Sequence, residues 1–370
     1  MANSFISVME IARQTLPRLI ENLVFPNLVY KDFSNEFVKG KGTKIQVKKP
    51  VVLEAKDFDA ATGVVTQDSK EDSVEVTLDK IASVDVDFQA IESASNVDDL
   101  SRLFATPAAV ALAQKINGEG LDLYKDIPYN VGTAGTAPSA LTDLANVRKA
   151  LNAQKVPVSG RVAVWDTNAD SNFSTIPSIV NAEKSGSTSA LREGSIGRIM
   201  GLDNYMSQAV KSHTTGITAG TAVKVNGAVA AGAKKLSIDG TALTGKLVYG
   251  DIIKIGGSSY TVTKDSAAAA SNAIADVEVY PALPAIADNT EVTLVGSHTA
   301  NLAFNPMAFA FVTRPLSVPS GVESYVTSYN GISLRVVKGY DMKYKKDILS
   351  MDVLYSYATM YPELAVRALG

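Results

Sequence analysis

Three glycines fall within eight residues in the stretch EGSIGRIMGLD, at Gly194, Gly197 and Gly201. The backbone N–H groups of such a loop could ring a phosphate, provided a strand feeds the loop and a helix leaves it. The dinucleotide fingerprint needs a second glycine two positions after the first, and this sequence has Ile196 there. Polar VNAEKSGSTSALRE precedes the loop, and the region about twenty positions on lacks the acid that would hold a ribose. The expectation is a turn that feeds a strand around Tyr205 to Val210, its glycines serving tight turning or close packing. GKGTK at 40–44 lacks the upstream glycine of a P-loop and lies in a β-type pattern.

The remaining reactive groups are few. The chain has no cysteine, which removes thiol nucleophiles, thiolate metal sites and disulfide scaffolds together. Its two histidines, His213 and His298, are too few for a His-rich metal site, and a Ser/His/Asp triad would need one of them beside a nucleophile elbow that is absent. Asp85 and Asp87 alternate with Val84, Val86 and Phe88, which puts both carboxylates on the solvated face of one strand. Asp98 and Asp99 stand where acids favour a helix start. No catalytic, cofactor-binding or metal-binding constellation emerges, and the chain is read as a non-enzyme that needs no cofactor.

Size and charge bound the remaining classes. With 370 residues the default expectation is two or more modules, and 46% hydrophobic residues are ample for their cores. A net charge of −3 argues against tight gripping of nucleic acid, which needs clustered Lys and Arg, but leaves enclosure of nucleic acid open. No apolar run approaches a membrane span, and Glu10 and Arg13 interrupt the place where a signal peptide has its apolar centre. A soluble, non-secreted chain is expected, with no membrane partner.

The elements that would position these groups follow from periodicity. Ile6, Met9, Leu16, Leu19, Ile20 and Leu23 recur at helical spacing over 4–24, with Pro17 expected to kink or divide the helix. This helix is either an arm that packs on a partner or a surface helix of its own domain. Ile45 and Val47, then Val74, Val76 and Leu78, then Val84, Val86 and Phe88 alternate with polar residues as strands do. The first two runs predict a long two-stranded ribbon, marginal unless it lies on something else. Its base carries Lys39, Lys41, Lys44, Lys48 and Lys49, whereas Glu54, Asp57, Asp59, Asp68, Glu71, Asp72, Glu75 and Asp79 follow. Such segregation suits either a solvated hairpin or complementary contacts with neighbouring copies. For the second reading the candidate contact residues are Lys41, Lys44, Lys48, Lys49, Asp57, Asp59, Glu71 and Asp72.

Thr106-Pro107 is expected to cap a long helix that faces its core with Val110, Ala113, Ile116 and Leu121, and Ser139 to open a second with Leu141, Leu144, Val147 and Leu151. RVAVWD reads as a short buried strand, so the body is α+β. Residues 214–300 differ in kind: short β-runs separated by glycine-rich turns predict a small barrel or sandwich. Apolar NLAFNPMAFAFVTRPL then resumes the body, and Asn330-Gly331 marks a hairpin turn. The module thus looks inserted, with His213 and His298 near its two ends. That symmetry is read as coincidence, with a protonation switch at the junction as the alternative.

Four segments together resemble one family. LNAQKVPVSGRVAVWD, LREGSIGRIMGLDNYMSQAV, NLAFNPMAFAFVTRPL and GISLRVVKGYDMKYKKDILSMDVLYSYATMYPELAVRAL are similar, in that order, to segments of the major capsid proteins of tailed bacteriophages with the Hong Kong 97-type fold. The β-insertion narrows the likeness to coat proteins of the Salmonella podophage group, which carry a telokin-like barrel. Leu202, Ser356 and Tyr361 depart from residues frequent in that family. The resemblance implies an α+β capsid fold in six parts: an N-terminal arm (1–38), an extended loop (39–80), a peripheral domain with spine helix (81–138), an axial domain (139–213), an inserted barrel (214–300) and closing strands of both domains (301–370). It further implies pentamers and hexamers closing into an icosahedral shell around double-stranded DNA bound without sequence specificity. Assembly with a scaffolding protein and a portal in the bacterial cytoplasm, and residence in the virion, are implied likewise. The alternative is an encapsulin-like bacterial compartment shell.

Overall fold

The computed structural model describes residues 8–31, 44–48, 73–88, 105–185, 189–341 and 346–370. The chain divides into two compact units. One holds 1–22, 30–113 and 309–360; the other holds 23–29, 114–308 and 361–370.

Helix α1 (Val8–Asn22) buries Val8, Ala12, Leu16 and Leu19 in one stripe, which packs on the strand pair β17 (Glu323–Tyr329) and β18 (Ile332–Asp341). Pro17 lies inside α1 without dividing it, which sets aside one of the two expected effects. Buried stripe residues flank the proline on both sides, so packing on the sheet holds together a helix whose local bonding proline weakens. Strands β1 (Lys44–Lys48) and β2 (Ser73–Thr77) form an antiparallel pair with Lys44 opposite Thr77 and Lys48 opposite Ser73. Strand β3 (Lys80–Phe88) is not part of that ribbon. It pairs along its whole length with β19 (Lys346–Thr359), which also carries β16 (Phe309–Thr313) and β18. Asn330 and Gly331, at φ 51° and 75°, make the two-residue turn between Tyr329 and Ile332.

Helix α3 (Thr106–Leu121) buries Ala108, Ala109, Leu112, Ala113, Ile116 and Leu121. Thr106 is its first residue rather than a cap ahead of it, and its Oγ1 accepts a 2.7 Å bond from Arg18. The second unit begins with a short helix, α2 (Phe25–Leu28), whose first N–H groups are taken by Asn117 Oδ1. Helix α4 spans Leu141–Ala153, two residues later than expected. The residue ahead of it is Ala140, which offers no side-chain cap, and Asp143 Oδ2 in the first turn reaches back to accept the N–H groups of Ser139 and Ala140.

Around α4 lies a seven-stranded sheet in the order β4 (Asn130–Val131), β20 (Ala365–Leu369), β15 (His298–Phe304), β5 (Val162–Trp165), β7 (Leu202–Met206), β6 (Arg198–Ile199), with β8 (Ser212–His213) on β15. All four residues of β5 are buried, as a central strand covered on both faces requires. Helix α5 (Thr167–Ser174) follows β5 directly, capped by Asp166, whose carboxylate accepts from Asn168 and Ala169. Trp165, Ala169, Phe173, Leu144, Val147, Leu151 and Leu202 meet in the core between them.

Between β8 and β15 the chain forms a second sheet of this unit, six strands in the order β14 (Val292–Leu294), β11 (Ile252–Ile255), β12 (Ser258–Val262), β13 (Ala273–Tyr280), β10 (Lys235–Gly245), β9 (Ile217–Val225). A bridge from Lys224 to Glu291 and paired bonds of Val225 with Thr290 and Asn289 close its ends into a small barrel. Its own apolar core includes Val225, Ile238, Ile253, Val262, Ile274 and Val277. At Gly245, with φ 96°, a Cβ would stand 2.2 Å from Gly216 O and 2.9 Å from Thr218 N. Gly245→Ala is therefore expected to lower stability by more than about 2 kcal/mol, part strain and part backbone collision. Gly227→Ala is the control, since φ there is 89° but a Cβ meets nothing within 4 Å. Thermal melting of the two variants should place Gly245→Ala clearly lower.

Candidate functional site

The ribbon carries the charge-segregated candidates, and two of them lie among the described residues. Lys44 Nζ reaches Glu75 Oε1 at 2.6 Å, a diagonal pair because Glu75 stands opposite Gln46. This bond raises the Lys44 ammonium above its ordinary pKa. Lys44 is thus engaged within its own ribbon as well as exposed to solvent. Lys48 pairs through its backbone with Ser73. Lys41, Lys49, Asp57, Asp59, Glu71 and Asp72 lie outside the described residues.

EGSIGRIMGLD is a hairpin, not the mouth of a helix. Met200 and Gly201, at φ 53° and 80°, turn β6 into β7. Gly194 and Gly197 also have φ near +70°, and a Cβ at any of the three glycines would meet nothing within 4 Å, so conformation rather than close packing calls for glycine here. The expected strand over 205–210 is corrected to 202–206. Strand β7 lies parallel to β5, and its pairing ends where β5 ends, with Ser207 N donating to Trp165 O. Asn204 ties the loop down: its Nδ2 donates to Gly197 O and Leu202 O, and its Oδ1 accepts from Trp165 Nε1 at 2.9 Å.

The two histidines are not placed by coincidence. His213 on β8 and His298 on β15 are partners in the antiparallel ladder, with ring centroids 5.4 Å apart. His213 Nδ1 lies 2.9 Å from Tyr124 Oη, and its Nε2 lies 2.8 Å from Asp251 Oδ1. Asp251 Oδ2 accepts from Val248 N in the loop ahead of β11. Burial pushes the Tyr124 phenol up to about 12, with the Arg367 charge opposing that rise. The hydroxyl therefore stays protonated at neutral pH, and the two ring nitrogens of His213 bridge it to the Asp251 carboxylate.

Arg367, fully buried in β20, completes the cluster. Its Nη1 donates to Gly250 O, its Nη2 to Tyr124 O and Ile127 O, and its guanidinium stacks 4.9 Å from the centre of the Tyr124 ring. Desolvation lowers its pKa to about 10, still charged at neutral pH. Three further bonds join the barrel to its surroundings: Thr261 Oγ1 to Lys125 O and Tyr249 Oη to Asp126 in the turn 122–126, and Tyr280 Oη to Glu363 in the short turn 362–364 ahead of β20.

Tyr–His–Asp order resembles a proton relay, but Tyr124, His213 and Asp251 are each 1–4% exposed and the phenol is held protonated. The arrangement fastens the barrel to the turn 122–126 and to β20. Sequence reading missed the partners of the histidines. The signal available was the repeated Ser-His-Thr at 212–214 and 297–299, which brackets the barrel.

Solved structures share this fold. A chain from Mycobacterium phage Che8 is 18% identical, covering 94% of this chain and 90% of its own, with a TM-score of 0.54. A chain from the capsid of the cyanophage P-SCSP1u is 12% identical, covering 94% and 88%, with a TM-score of 0.51. At these identities the likeness is one of fold. No protein-family model and no curated protein matches the sequence.

Proposed function

We propose that this chain, which has the fold of a phage capsid chain, is the major capsid protein of a tailed phage with a double-stranded DNA genome. The observation that carries the reading is the common fold over 94% of the chain with the cyanophage capsid structure. In it, 1–38 is the arm, 39–80 the extended loop, 81–138 the peripheral domain with α3 as spine, 139–213 and 301–370 the remainder of the axial and peripheral domains, and 214–300 an inserted telokin-like barrel of the Salmonella podophage kind. Copies join head to tail in pentamers and hexamers of a closed icosahedral shell, with a scaffolding protein and a portal as assembly partners. A two-stranded ribbon gains stability by lying on a neighbour, and many modest contacts sum to a durable shell. A net charge of −3 suits enclosure of DNA without tight or sequence-specific binding.

Electron microscopy of the purified protein, alone and with a co-expressed scaffolding protein, tests the reading. Closed shells of uniform size are expected in at least one condition, and monomers under every condition would overturn it. Within this reading Lys41, Lys44, Lys48, Lys49, Asp57, Asp59, Glu71 and Asp72 form contacts between copies. Lys48→Glu with Lys49→Glu is then expected to cut shell yield at least about tenfold, the equivalent of about 1.4 kcal/mol per subunit contact, while leaving the melting temperature nearly unchanged. Shell yield and its salt dependence, read by sedimentation, check this; wild-type values for both would contradict it.

A further inference from the structure

We propose that His298, packed against His213, is a proton-operated latch that holds the barrel on the seven-stranded sheet and releases it on acidification. The latch sits at the covalent entry and exit of the barrel, since His213 precedes β9 and His298 follows β14. His298 is 4% exposed, and its Nδ1–H donates to Gly296 O at 2.8 Å. Its Nε2 is buried without a hydrogen-bond partner among the described residues. In the neutral ring that atom is a bare lone pair, the less costly kind of unmet group. Protonation would convert it to a buried N–H donor with nothing to receive it and would add a second cation to the cluster.

The charged and titratable groups acting on the ring come from three other elements: His213 on β8, Asp251 ahead of β11 and Arg367 on β20, with Tyr124 of the turn 122–126 held against His213 and Arg367. Behind them stand Asp122, paired with Lys211 and Lys125, and Asp126, bonded to Tyr249. Desolvation dominates and pushes His298 down from 6.5 to about 4; Arg367 and His213 push the same way, while the Gly296 carbonyl and Asp251 oppose them. A group with a depressed histidine pKa binds fewer protons when docked. Docking is therefore at full strength above pH 6.5, weakens as pH falls through the interval from 6.5 to about 4, and loses the whole contribution below it. The full interval corresponds to at most roughly 300-fold in the docking equilibrium, and pH 5 to roughly 30-fold. In the docked form His213 Nε2 has Asp251 as a partner, whereas His298 Nε2 has none among the described residues, so His298 is the member that disfavours the docked form when charged.

Amide hydrogen exchange on the full chain at pH 7.5 and pH 5, corrected for the intrinsic pH dependence of exchange, reads the latch directly. Peptides covering 211–216, 246–252 and 298–300 should lose protection by about tenfold or more at pH 5, while the barrel strands keep theirs. His298→Asn retains a donor for Gly296 O and cannot take up a proton, so its protection should be the same at both pH values. An equal acid loss in His298→Asn, or melting of the barrel strands together with the junction, would overturn the latch. Should that variant fail to fold, ring-nitrogen NMR of the wild type still decides, because the chain has two histidines. A His298 midpoint near 4 is expected, and one near 6.5 would overturn the proposal. Neither measurement depends on whether the protein forms shells, so its outcome is separate from that of the assembly experiment.

Discussion

Trp165→Ala is expected to destabilise the second unit by about 3–5 kcal/mol, the range for removing a large aromatic from a close-packed interior. Trp165 is 1% exposed, on the central strand β5. Its ring meets Phe173 of α5 edge-on at 5.0 Å, and its Nε1–H donates to Asn204. The loss therefore has two parts. A cavity opens between α5 and the sheet, and Asn204, which holds Gly197 O and Leu202 O, loses its anchor. Trp165→Phe should recover more than half of the loss while still lacking the Asn204 bond. Because Trp165 is the chain's single tryptophan, unfolding must be followed by circular dichroism in urea. A Trp165→Ala midpoint close to wild type would show that the core around α5 is not packed as described.

Arg367→Met should cost about 2–4 kcal/mol. Methionine keeps the apolar stem but withdraws donors from the carbonyls of Gly250, Tyr124 and Ile127. Relief from burying a charge offsets part of that cost, which is why the figure is below the sum for three lost bonds. Arg367→Lys should restore little, because one ammonium cannot reproduce the forked donation to carbonyls on separate segments. Arg198→Met is the control: its side chain is 58% exposed and 3.6 Å from Asp203, and its removal should change stability by less than about 1 kcal/mol. Urea denaturation of the three variants should give the order Arg367→Met, Arg367→Lys, Arg198→Met from least to most stable.

Local signals in the sequence were legible where neighbours along the chain decide the structure. The stripe of α1, the alternation of β1 and β2, the strand RVAVWD, the Asn330-Gly331 turn and the series of short strands within 214–300 all express periodicity or turn chemistry over a few residues. Local rules left an outcome open, or missed it, where a partner elsewhere in the chain decided. Of the two effects expected of Pro17, division of α1 did not occur, because a sheet from residues 323–341 holds both halves. The strand after EGSIGRIMGLD ended at Met206 because β5, forty residues earlier, ends at Trp165. Helix α4 opens at Leu141 rather than at Ser139, with Asp143 reaching back to the N–H groups of Ser139 and Ala140, a local geometry that residue type alone does not decide.

The sequence by itself determined the stripe of α1, the alternation of β1 and β2, the run of short strands within 214–300, and that no cysteine chemistry is available, because these properties reside in residue type and short-range spacing. Only the tertiary structure decided what the two histidines do. His213 finds Tyr124 89 residues away and Asp251 38 residues away, and Arg367 reaches back 243 residues to Tyr124. Such contacts follow from how strands are ordered in a sheet, and no period along the chain encodes that order. The burial that closes the cluster also lowers the pKa of His298, since desolvation exists only once the chain has folded around the ring.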